Sequence, residues 1–146
     1  MTTSGPIVHP TDFTRASEAA FIRAIDLAKR DGAELILAHV LEPLSPFLAD
    51  GSSVHYTQLQ ASLEAKARLN LKRMLVRARR AAVPASDVLL EGSPAERIME
   101  LAKKRSADVI VMGTRGRTGF KKLLLGSVAE RVIGLAPCAV LTVRGQ

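Results

Sequence analysis

Residues 108–127 read DVIVMGTRGRTGFKKLLLGS, and the reading of this stretch decides the fold. Asp108 to Met112 is a near-continuous apolar run, the pattern of a strand buried on both faces and not of one that alternates between core and water. The run stops at Gly113, and a loop carrying Gly116, Gly119 and Gly126 leads to a helical pattern that opens near Ser127. Strand, glycine loop and helix start, in that order, form a unit of a parallel sheet covered by helices, where ligands lie beyond the carboxyl ends of the strands. Glycines let the backbone approach such a ligand without steric obstruction. The first amides of the helix, its dipole and the Ser127 hydroxyl favour an anion, and Arg115, Arg117, Lys121 and Lys122 add positive potential. Phosphate is the natural occupant, with Arg115 the first candidate among the cations.

Working outward, apolar β-rich runs recur at Ile7 to His9, Glu34 to Val40, Asp87 to Leu90 and Ala139 to Val143, with helical patterns between them. The alternation predicts a three-layer α/β sandwich around a parallel sheet. Thr14 is positioned to cap the first helix, Phe21, Ala24, Ile25 and Ala28 form its buried stripe, and Gly32 stops it. A second helix is expected from Thr57 to Ala82, with Leu59, Leu63, Ala67, Leu71, Met74, Leu75 and Ala78 inward and Lys66, Lys72, Arg73, Arg77 and Arg80 elsewhere around it. Ser93-Pro94-Ala95-Glu96 reads as a capping box with proline at the first helical position, and Ser127-Val128-Ala129-Glu130 repeats the device. Leu41 to Ser53, with Pro43, Pro46 and Gly51, is the one loop long enough to serve as a lid or partner surface.

A chain of 146 residues is the size of one domain. No apolar run reaches the roughly 18 residues of a membrane helix, and the first residues lack the basic start and apolar stretch of a secretory signal, so a cytoplasmic protein is expected. The single cysteine, Cys138, between Pro137 and Ala139, reads as a packing residue, and His9, His39 and His55 are too scattered for structural zinc. The net charge of +7 points to anionic partners, be they nucleotide phosphates, nucleic acid or an acidic surface. Few aromatics and no recognisable reading helix argue against sequence-specific DNA binding. No Gly-Lys dipeptide occurs, which excludes the Walker phosphate loop. His9-Pro10-Thr11-Asp12-Phe13-Thr14 follows the first strand without a glycine, so the dinucleotide fingerprint is missing. Asp12, Glu91 and Arg144 stand where a phospho-receiver domain would need two carboxylates and a lysine.

Gly113-x-x-Gly116, nine residues, then Gly126-Ser127 resembles the ATP-binding signature of the universal stress protein family. The likeness extends to Ile7 through Thr14, to Glu91-Gly92-Ser93-Pro94 and to Pro137 through Val143, and so spans essentially the whole chain. The resemblance implies a Rossmann-like five-stranded parallel sheet of order 3-2-1-4-5, with the nucleotide between strands one and four. It implies that Pro10, Thr11 and Asp12 belong to the nucleotide site, with Asp12 hydrogen-bonding the adenine or ribose side, and that Val40 sets backbone groups against adenine. Met112, Gly113, Arg115 and Gly116 would line the ribose and phosphates. Gly126, Ser127, Val128 and Ala129 would supply phosphate-facing amides and a hydroxyl. Members of this type resemble homodimers joined through the last strand, here Ala139 to Val143, which would otherwise be an open edge.

The leading expectation is an ATP-binding regulatory or stress-adaptation module. No residue near the loop stands out as a general base, so hydrolysis is expected to be slow or dependent on another protein. Magnesium or manganese would arrive with the phosphates, because no carboxylate cluster holds a metal alone. Two alternatives are a true ATPase or nucleotidyl-transfer enzyme in which Asp12 positions metal or water, and a nucleotide-free module binding an acidic partner.

Overall fold

The structure, a computed structural model, describes residues 5–44, 53–114 and 125–145. The elements run β1 (Ile7–Pro10), α1 (Arg15–Asp31), β2 (Leu35–Leu41), α2 (Ser53–Arg80), β3 (Ala85–Glu91), α3 (Pro94–Lys104), β4 (Val109–Gly113), α4 (Ser127–Leu135) and β5 (Ala139–Val143). The sheet has the order β3-β2-β1-β4-β5, and every neighbouring pair is parallel. Both the alternation and the strand order agree with expectation.

Successive strand residues face opposite sides of a sheet, and here they feed two cores. Ile7, Leu35, Leu37 and Val111 pack with Phe21, Ala24 and Ala28 of α1 and with Leu71, Met74, Leu75 and Ala78 of α2. Val8, Ile36, Ala38, Ile110 and Met112 pack on the other face with Ile98, Leu101 and Ala102 of α3 and with Ala129 and Val132 of α4. Burying each large apolar side chain stabilises the fold by about 1.5–3 kcal/mol. The continuous apolar runs are thus explained by helices on both sides. No helix among the described residues is long and apolar enough to cross a membrane.

Several local expectations are corrected. Thr14 is the cap residue of α1 by position, but its side chain makes no capping bond; its hydroxyl donates to Asp12 Oδ1 instead, at 2.5 Å. Gly32 does end α1 in the left-handed region, at φ 64°. Ile25 is only half-buried. Helix α2 opens at Ser53 and closes at Arg80, with Ala82 at φ 62° in the turn beyond it. Leu59 lies outside the core at 48% exposure, because the first turns of α2 precede the stretch that packs on the sheet. Ser93 caps α3 by position without a side-chain bond to its amides. The Glu96 carboxylate draws on the Ser93 hydroxyl and its own amide, and the nearby Arg131 adds to the pull that holds it below the usual carboxylate range. Cys138 is half-buried, and burial pushes its thiol pKa up. The expected loop from Leu41 to Ser53 is shortened by the strand and helix ends, and its residues 45–52 lie outside the described residues.

Candidate functional site

Because the chain steps from β1 outward to β2 and β3 and then returns to the far side of β1 for β4, the helices that follow β1 and β4 cover opposite faces of the sheet. In open parallel sheets ligands lie where two such connections part. The backbone of β1 shortens the ladder to β4 at that point. Ile7 N–H and Thr11 N–H both donate to β2, to Glu34 O and Ala38 O at 2.8 Å, so alternation turns the N–H positions of Val8 and Pro10 toward β4. Proline has no N–H to donate. The ladder to β4 accordingly covers Ile7↔Val109 and Val8↔Ile110, whereas that to β2 continues to Pro10↔Ala38.

The Val111 carbonyl, opposite Pro10, takes its hydrogen from a side chain: His9 Nδ1 lies 2.8 Å away. That contact makes Nδ1 the protonated nitrogen and leaves Nε2 a bare acceptor, buried and without a partner. His9 is fully buried and stacks on Phe21 at 5.8 Å. Burial lowers its pKa to about 4, against smaller opposing contributions from the Val111 carbonyl and from Glu18 and Asp12.

Beyond β1 the chain makes a tight turn. Asp12 Oδ1 accepts from Thr14 N–H at 3.0 Å and from the Thr14 hydroxyl, and Oδ2 enters neither bond. Thr11 Oγ1 accepts from Phe13 N–H at 3.0 Å, and His39 Nδ1 donates to Thr11 O at 2.7 Å. Phe13 sits at φ 64°, a left-handed conformation costly for a side chain with Cβ. Its ring packs 4.4 Å from the His39 imidazole, a contact that offsets the strain and fixes the turn.

At the end of β4, Met112 is buried in the core of the second face and Gly113 is half-buried. Thr114 N–H donates to Val143 O at 3.1 Å, and Thr114 O accepts from Gly126 N–H, so the end of β4 and the start of α4 are joined directly. Gly126, not Ser127, is the cap residue of α4, and no side chain caps it. Ser127 is the first helical residue and is exposed. The first hydrogen bond of the helix is Glu130 N–H to Gly126 O; the amides of Ser127, Val128 and Ala129 precede it and have no helical acceptor. Such a terminus presents donors and a positive dipole end to an anion.

The fold therefore brings Pro10, Thr11 and Asp12 to the end of β1, Met112 and Gly113 to the end of the neighbouring β4, and Gly126, Ser127, Val128 and Ala129 to the first turn of α4. Val40 lies one strand further out, on β2, paired with Leu90. Arg115 and Gly116, and with them Arg117, Lys121 and Lys122, lie outside the described residues. Among the described residues no group of three His, Cys, Asp or Glu side chains gathers to hold a metal. Sequence reasoning missed Phe13, His39 and Thr114, which position the turn and the α4 terminus. Their signal was faint: a histidine inside an apolar strand and an aromatic in a turn look like ordinary core.

Comparison with known proteins agrees with this architecture. The profile of the Universal stress protein family matches residues 4–144. Universal stress protein MJ0531 of Methanocaldococcus jannaschii is 41% identical over 138 residues, covering 94% of this chain and 81% of that protein. The solved structure of hypothetical protein MJ0577, from the same organism, superposes with a TM-score of 0.86 at 27% identity, covering 99% of both chains. A universal stress protein solved in complex with cAMP superposes with a TM-score of 0.69 at 27% identity, over 98% of this chain and 99% of that one. The chain belongs to the universal stress protein family.

Proposed function

We propose that the protein binds an adenine nucleotide, ATP foremost, in the crevice between β1 and β4, and that it acts as a regulatory, stress-adaptation module in the cytoplasm. The observation that carries this reading is the N-terminus of α4 beside the end of β4, whose amides at Ser127, Val128 and Ala129 precede the first helical hydrogen bond and receive no cap from a side chain at Gly126. The donor set fits a polyphosphate: three amides and the Ser127 hydroxyl for oxygen anions, and Asp12 Oδ2 as an acceptor for ribose or base N–H and O–H groups. Arg115 and Gly116 complete the phosphate side, and magnesium or manganese accompanies the phosphates. The relative bound to cAMP supports an adenine nucleotide as the ligand class. Slow or absent hydrolysis follows from the residues at hand. Asp12 Oδ1 is already committed to Thr14, and among the described residues Asp12 is the one carboxylate at the ends of β1 and β4 and the first turn of α4 other than Glu130 on the helix. The active form is a homodimer joined through β5.

Calorimetric titration with ATP, ADP, AMP and cAMP in the presence of magnesium, with phosphate release followed in the same samples, tests the reading. ATP binding with little phosphate released is the expected result. Rapid release would transfer the protein to the enzymes, and absence of binding by any of the four nucleotides would overturn the proposal.

A further inference from the structure

Helix α2 carries seven cations, Lys66, Arg68, Lys72, Arg73, Arg77, Arg79 and Arg80, against the single anion Glu64. All but one of the net seven positive charges of the chain therefore reside on this one element. They are not spread evenly around it. Ala67, Leu71, Met74, Leu75 and Ala78 pack on the sheet. At 100° per residue, the direction opposite that stripe is occupied by Ser62, Lys66, Leu69, Arg73, Val76 and Arg80, all exposed.

Two repeats interleave along this outer face. Lys66, Arg73 and Arg80 follow one another at seven-residue steps, about 10.5 Å apart along the axis, and Leu69 and Val76 do the same between them, at 52% and 47% exposure. The flanking cations are engaged within the fold: Arg77 pairs with Glu18 of α1, Lys72 with Asp87 of β3, and Arg68 with Glu64. Lys66, Arg73 and Arg80 enter none of the six ion pairs among the described residues. A shallow depression lined by Lys72, Arg73, Val76, Arg77 and Arg80 opens on this side of the helix.

We propose that this face is a docking surface for an acidic amphipathic helix of a partner protein, with carboxylates at seven-residue spacing opposite Lys66, Arg73 and Arg80 and apolar residues opposite Leu69 and Val76. A seven-residue repeat of apolar and charged positions is what one helix presents to another packed along it. A second copy of the same face is excluded by like charge. A membrane surface is disfavoured because the face carries no aromatic anchor, and its two apolar residues sit between the cations instead of forming a continuous apolar side. A nucleic-acid backbone would match the cations and leave Leu69 and Val76 against phosphates, with no aromatic side chain on the face for stacking.

The test uses the full-length protein and a fluorescent synthetic peptide of three heptads, helical in isolation, with Glu and Leu at the two interleaved positions. Fluorescence anisotropy should show binding that weakens with salt. Affinity should fall roughly tenfold or more in the triple variant Lys66→Glu, Arg73→Glu, Arg80→Glu, and severalfold in Leu69→Ser, Val76→Ser. All five positions are exposed, so circular dichroism should show both variants folded. A peptide with Lys in place of Glu should not bind. The proposal is overturned if the acidic peptide fails to bind or binds the triple variant equally well. It is equally overturned if vesicles of phosphatidylcholine and phosphatidylserine, or a short DNA duplex, bind more tightly than the peptide.

Discussion

At Val111 a backbone carbonyl that faces the N–H position of Pro10 receives the imidazole of His9 instead, because proline has nothing to give. The substitution satisfies one buried acceptor and creates another, since Nε2 is left without a donor. It also makes the fold sensitive to acid in a defined direction. In the folded chain His9 stays neutral until about pH 4, whereas an unfolded chain takes up the proton near 6.5. Between those values the unfolded state binds more protons, so stability is retained above pH 6.5 and is lost as the pH falls, by about 3 kcal/mol once pH 4 is reached. His9→Leu should therefore have two effects. At pH 7 the variant should be less stable by about 1–3 kcal/mol, because the Val111 carbonyl loses its donor. By pH 4.5 the gap to the wild type should shrink or vanish, because the variant has no imidazole to protonate. Urea unfolding of both proteins at the two pH values measures it, and a gap that stays constant would show that His9 is not the acid-sensitive group. None of this could be read from the sequence, where His9 is one polar residue in an apolar run; the register that turns Pro10 toward β4 gives it meaning.

Elements were more legible than residues. The β4 run and its glycine stop, the α1 stripe with Gly32 after it, and Pro94 at the first turn of α3 all announced themselves, because periodicity and backbone chemistry act locally. Bonds made by side chains were less legible. Thr14, Ser93 and Ser127 each fit a capping pattern, yet the Thr14 hydroxyl goes to Asp12, Ser93 serves Glu96, and Ser127 falls one residue inside its helix. The last of these bears on function. With Gly126 at the cap position, the cap residue itself offers the α4 amides no side-chain acceptor. Gly126→Asp supplies that acceptor. Gly126 has φ −74° and ψ 161°, which any residue adopts, so the substitution introduces no backbone strain. The aspartate should cap the helix and raise stability by about 0.5–1 kcal/mol. It should also compete with phosphate for the same amides and abolish nucleotide binding. Opposite changes in melting temperature and affinity separate this outcome from simple misfolding. Retained ATP binding by a stabilised variant would mean that the phosphates lie elsewhere.

For the whole molecule, the alternation of runs predicted the layers, but the strand order rested on family likeness, since nothing local distinguishes β4 beside β1 from β4 beside β3. The same order leaves two edges, β3 and β5, and they differ in kind. Strand β3 lies under α2, whose Lys72 and Arg79 reach Asp87 and the Ala85 carbonyl. Strand β5 carries Val140, Leu141 and Val143 half-buried at an edge that no further strand among the described residues covers. Thr114 N–H donates to Val143 O, so the odd residues of β5 face β4 and the N–H groups of Val140 and Thr142 point outward. A second copy pairing through this edge would use those groups, and the basic outer face of α2, on a different element, would stay open to its acidic partner. Thr142→Pro removes one outward donor while sparing the β4 ladder, a position at which an edge strand tolerates proline. In sedimentation experiments the wild type should run as a dimer and the variant as a monomer, with its melting temperature lowered by only about a few degrees. A wild type that sediments as a monomer, or a variant that remains dimeric, would rule out β5 as the joining edge.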